Sequence, residues 1–136
     1  MTYLEISELT DELLNKADNI YTLNHTKSPV ILTQKGYINS KRVARETREA
    51  TKEYMKSLPQ ETLEQVVKLI GIHKKNAQQT QQQLDDFRAQ TATQQTPIGE
   101  IYRMEHEYDL AGRRIAYCDM LNQMREEINA EKSERE

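Results

Sequence analysis

Two apolar strips of matching register, separated by a polar bend, constrain this chain more than any other feature. Leu63, Val66, Ile70, His73, Ala77, Thr80, Leu84 and Phe87 follow one another at alternating spacings of three and four. That repeat lays a seam along one side of a helix for a partner to cover. Ile101, Met104, Tyr108, Ala111, Ile115 and Cys118 form a second seam. Folding the chain back near residue 93 sets Phe87 against Ile101, Leu84 against Met104, Ala77 against Ala111 and Ile70 against Cys118. The spacing predicts a long antiparallel helical hairpin between Pro59 and Ile128, and a helical bundle built on it.

The rest of the chain agrees with a mainly α fold. Among 136 residues there are only 4 Gly, one Phe and no Trp, and the 30% that are charged interleave with spaced apolar positions. Such a pattern suits amphipathic helices and speaks against a sheet protein. The length fits one domain with a modest core. Helices are expected at about 2–24, 40–56, 58–91 and 97–130.

Thr2 and Glu5 have the spacing of a capping box, and Thr10 ahead of Asp11 and Glu12 offers a second possible start. Ile6, Leu9, Leu13, Leu14, Ala17, Ile20 and Tyr21 then make one stripe on the first helix. Pro29 ends that region, because it cannot continue a helical ladder and forces Ser28 extended. Between Val30 and Ile38 lies the only place where a short β-hairpin can form, with Gly36 supplying the turn. Asn39 or Ser40 caps the second helix. Ser57 and Pro59 open the third, and Thr96 with Pro97 the fourth. From Asn76 to Thr96 the chain holds eight Gln and four Thr. Because the seam spacing survives there, this tract reads as a projecting helical arm closed by a loop at 91–96.

Helix two is polarised. Val43, Thr47, Ala50, Tyr54 and Leu58 project to one side; Lys41, Arg45, Arg48, Lys52 and Lys56 project to the other. Residues 41–56 carry six cations and three carboxylates, within a chain of net charge -3. The five stripe cations are the candidate partner-binding residues, suited to an acidic protein surface or to phosphates. Helix four has two apolar faces, the second made by Leu110, Tyr117, Leu121, Met124 and Ile128. Such a helix is expected between neighbours.

Catalytic signals are sparse. Glu105, His106 and Asp109 have ligand-like helical spacing, but no paired Glu-x-x-His or His-x-x-x-His motif supplies a full set. His73 stands on a seam position, as does Cys118, where core packing explains the thiol better than nucleophilic chemistry. There is no Gly-rich phosphate loop, nucleophile elbow or zinc-type Cys/His set. The sequence therefore predicts neither cofactor nor metal, and no enzyme activity. A single cysteine fits a reducing compartment. The acidic opening does not resemble a signal peptide, and no apolar run reaches the roughly 20 residues that span a bilayer. The expectation is a cytoplasmic protein-protein interaction module, an adaptor, assembly factor or inhibitor, able to self-associate. Nucleic-acid binding through helix two is the alternative.

Overall fold

The computed structural model describes residues 2–91 and 97–135. Thr2 starts the chain's first helix, α1 (Tyr3–Asn24), its side chain accepting a hydrogen bond from the Glu5 N–H. At the other end His25 stacks on Tyr21 with ring centroids 3.9 Å apart, and its N–H closes the helix on the Tyr21 carbonyl.

Strands β1 (Val30–Thr33) and β2 (Gly36–Asn39) pair antiparallel, with Ile31 opposite Ile38 and Leu32 opposite Tyr37. The turn needs a positive φ, and Gly36 supplies it at 117° without a Cβ to clash. Thr33 Oγ1 donates to the Gly36 carbonyl, clasping the turn. An isolated hairpin is marginal in water. This one is anchored at its base, where buried Ser40 donates from its N–H to Pro29 O and from its hydroxyl to Ser28 O and Pro29 O.

Asn39 caps α2 (Ser40–Ser57), accepting from the N–H groups of Lys41 and Arg42. Ser57 belongs to this helix rather than to the next, since its hydroxyl bonds back to Tyr54 O at 2.6 Å. Leu58 and Pro59 make the link, and α3 (Gln60–Thr91) follows. The predicted loop at 91–96 and the Thr96 cap lie outside the described residues, apart from the Thr91 backbone that ends α3. α4 (Ile98–Arg135) opens on Pro97, whose carbonyl accepts from Glu100 and Ile101.

α3 and α4 form the antiparallel hairpin. Gln60 meets Lys132, Glu64 meets Arg125, Lys74 meets Asp119, and Gln81 meets the Tyr108 carbonyl, so residue numbers rise on one helix as they fall on the other. Leu63, Val66 and Ile70 of α3 pack with Cys118, Leu121, Met124 and Ile128 of α4. The stripe Ile6, Leu9, Leu13, Leu14, Ala17 and Ile20 from α1, with Met55 from α2, completes that core. Expected seam and second apolar face of α4 therefore meet in one cluster.

The seam thins away from this end. Ala77, Met104 and Ala111 are buried outside the main cluster, Leu84 and Tyr108 are half-buried, and Thr80, Phe87 and Ile101 are exposed. Ile115 is half-buried rather than enclosed. His73, also half-buried, stands between the closed and open stretches.

One face was misassigned by helical projection. α2 buries Ser40, Ala44, Thr51, Lys52 and Met55, while Val43, Thr47, Tyr54 and Leu58 are half-buried and Ala50 is exposed. Thr47 and Thr51 lose nothing by turning inward, because each hydroxyl donates to the carbonyl four residues earlier, at 2.7 and 2.8 Å.

Candidate functional site

The basic stripe of α2 does not form one solvated face. Arg48 grips Glu127 of α4 through both terminal nitrogens, donating at 2.7 Å to Oε1 and 3.3 Å to Oε2. Lys52, with only 11% of its side chain exposed, reaches Glu131 at 2.6 Å and Glu127 at 3.4 Å. Lys56 also pairs with Glu131. Three of the five candidate cations therefore clamp α2 to the last turns of α4. Lys41 donates to the Asn24 carbonyl at the end of α1. Among the described residues Arg45 alone of the five is exposed and unpaired.

The electrostatics of this clamp are mutual. Hydrogen bonds from Lys52 and Lys56 pull the Glu131 carboxyl down to about 2. Arg48 lowers Glu127 in the same way. Lys52 is held above the usual lysine value by Glu131, and burial opposes that shift without reversing it. Glu49 and Glu53 of α2 pair with Arg48 and Lys56 as well, so each of the three cations is engaged by carboxylates.

The other sequence candidates stand apart from one another. Glu105, His106 and Asp109 are all exposed, and among the described residues no three His, Cys, Asp or Glu side chains are placed to hold a metal ion. Cys118 is fully enclosed in the core, and burial pushes its thiol up to about 11. A thiol held protonated away from solvent is a packing group.

Among the described residues three exposed apolar surfaces stand out. One is a groove of about 350 Å³ between the start of α1 and α3, lined by Tyr3, Ile6, Gln65, Lys68, Leu69 and Ile72. The second is the outer face of the β-hairpin, where the cross-strand pair Leu32 and Tyr37 is 71% and 77% exposed. The third lies on the arm, at the start of α4: Ile98 is 69% exposed, Tyr102 68% and Ile101 42%. Sequence reasoning placed Ile101 in the seam and passed over Ile98 and Tyr102. The available signal was their three-four spacing with Glu105 and Asp109, which marks a face beside the seam.

That face continues into the bundle. Ile98, Tyr102, Glu105, Asp109, Arg113, Ala116, Met120 and Gln123 recur at spacings of three and four. The later half is occupied by the end of α1: Arg113 binds Asp18 at 2.7 Å, reaches Thr22, and sits over the Tyr21 ring. Beyond Arg113 a cleft of about 530 Å³ is lined by Tyr21, Asn24 and His25 with Ala116, Met120 and Gln123. Among the described residues no element lies on the earlier half, where Ile98 and Tyr102 are exposed. Among the described residues Glu105 and Asp109 have no ion-pair or hydrogen-bond partner, whereas Arg103 is engaged by Glu100 and Glu107.

No protein-family model, curated protein or solved structure matches this chain.

Proposed function

We propose that this chain is a binding protein without chemistry of its own, which docks another protein on the exposed side of its helical arm. The observation that carries the reading is the open stripe at the start of α4, where Ile98 and Tyr102 are more than two-thirds exposed. Large apolar side chains grouped on one helix face mark interaction sites more often than scattered ones do. The core end buries its apolar residues among four helices; among the described residues the arm consists of α3 and α4 alone.

Phosphate binding through α2 has less support. Arg48, Lys52 and Lys56 are already paired with Glu127 and Glu131, and Arg48 and Lys56 also with Glu49 and Glu53, and a nucleic-acid site draws its affinity from cations free to release counterions. No helix among the described residues is long and apolar enough to cross a membrane.

A photo-crosslinking residue in place of Tyr102, introduced into the full chain in its source cell, tests the proposal. A discrete higher-mass adduct that is lost when Ile98→Asp is added supports it. Absence of any adduct at 102 rejects it.

A further inference from the structure

We infer that the occupant of the open stripe is a basic amphipathic helix of another protein, seated on α4 beyond the end of α1. This rests on the reading above and adds the chemistry of the partner.

The occupied half of the stripe displays what the surface accepts. α1 is an amphipathic helix, and its Asp18 carboxylate answers Arg113 of α4. At 22 residues α1 extends about 33 Å, against about 57 Å for the 38 residues of α4. The end of α1 meets the stripe at Arg113, and among the described residues nothing covers Ile98 and Tyr102 in the first turns of α4. The spacing of the stripe does not change across the boundary, so the face that meets α1 at Arg113 extends to Ile98, Tyr102, Glu105 and Asp109.

The sign of the charge does change. Where α1 lies, the stripe presents Arg113 and receives a carboxylate. Where it is open, the stripe presents Glu105 and Asp109, both unpaired among the described residues. Between residues 77 and 111 the sequence carries six carboxylates and two guanidinium groups. Complementarity therefore asks for lysine or arginine flanking an apolar seam.

A second copy of the chain fits less well. Laid antiparallel on the same stripe, it would bring its own Glu105 and Asp109 against an equally acidic face. Like charges set opposite one another cost affinity.

The test uses the full chain and two synthetic amphipathic helical peptides with the same leucine seam. Lysines flank the seam in one and glutamates in the other, and binding is read by fluorescence anisotropy. The lysine peptide is expected to bind about tenfold or more tighter than the glutamate peptide. Glu105→Lys with Asp109→Lys should weaken it by a similar factor. The equal charge change at Glu8→Lys with Asp11→Lys, exposed positions of α1, should weaken it by less than about threefold. Tyr102→Ser should weaken both peptides.

Equal losses from the two charge variants, equal binding of the two peptides, or no binding of either would overturn the inference. So would a chain that sediments as a dimer and becomes monomeric on Tyr102→Asp, since a second copy would then cover the stripe. A crosslink at 102 that persists while the lysine peptide fails removes the basic helix and leaves the docking role standing. Loss of both removes the role itself.

Discussion

Lys52 lies between two opposing effects. Packing of α2 against α4 strips water from its ammonium group, which alone would favour the neutral form. Glu131 at 2.6 Å and Glu127 at 3.4 Å favour the charged form more strongly, and the lysine titrates above its usual range. Its stabilising effect is thus complete below the ordinary lysine value and lost only as pH rises through the raised one. Glu131 works in the opposite sense. Its folded value near 2 lies below the ordinary 4.5, so its contribution is present above 4.5 and lost as pH falls from there toward 2. Glu131→Gln should therefore lower the urea midpoint at pH 6, and the gap from the parent chain should close between about pH 4.5 and 2. A gap of constant size would show that the carboxylate's charge does not matter. Cys118 gives a second check at this scale. Enclosed in the core and held protonated, with its value pushed up to about 11, the thiol should not react with a disulfide reagent at pH 8 in the folded chain. One equivalent should react after unfolding. Ile70 and Ile115, members of the two seams, differ in burial. Ile70→Asp encloses a carboxylate without a partner and should cost about 3 kcal/mol or more by urea unfolding. Ile115→Asp should cost less, because its half-buried position lets the charge reach water.

Along a helix, glycine costs stability unless its missing Cβ makes room for something. At Gly71, in mid-α3, an added Cβ would meet nothing within 4 Å, so Gly71→Ala should raise stability by about 0.5–1 kcal/mol in thermal or urea unfolding. At Gly112 an added Cβ would lie 3.0 Å from Gln81 Nε2, the group that bonds the Tyr108 carbonyl across the hairpin. Gly112→Ala should therefore gain less than Gly71→Ala, even though the Gln81 side chain can swing away. Local chemistry of this kind was readable in advance. A cap at Thr2 or Thr10, one at Asn39 or Ser40, the Gly36 turn, and Ile70 and Cys118 as seam partners in one core all follow from residue type and spacing over a few positions, and the structure selects Thr2 and Asn39. The face of α2 does not. Helical projection ranks faces by apolar content, and Val43, Ala50 and Tyr54 outweighed Ala44 and Thr51. What turned the helix was Met55 entering the core and a set of carboxylates 79 residues further along, in the pairs Arg48–Glu127 and Lys52–Glu131. A stripe of cations facing water and one facing a distant acidic helix have the same sequence pattern. The open stripe on α4 was hidden for a related reason: Ile98 and Tyr102 look like the fringe of a seam until the end of α1 shows where covering stops.

Across the whole molecule, apolar burial is unevenly distributed. The enclosed cluster draws on all four helices, but its α3 members end at Ile70 and its α4 members begin at Cys118. Beyond them the hairpin is held by the buried Ala77, Met104 and Ala111 and by a few cross-helix contacts, among them Gln81 to Tyr108 and Arg88 over the Tyr108 ring at 4.8 Å. Small side chains bury little area, so this stretch gains less per residue than the leucine, isoleucine and methionine layers. Intrinsic helix propensity cannot make up the difference, since helical segments in proteins draw most of their stability from packing. Stability should therefore fall along the hairpin, with local opening at the arm costing less than global unfolding. Native-state hydrogen exchange would resolve it. Amides of residues 63–74 and 115–128 should exchange only through global opening, with a steep urea dependence. Those of 81–90 and 99–108 should exchange through smaller openings that depend weakly on urea. Saturating lysine peptide should slow both groups by a similar factor, because arm opening and global opening alike release it. Uniform protection along both helices would instead mean that the thin seam and the thick core unfold as one unit.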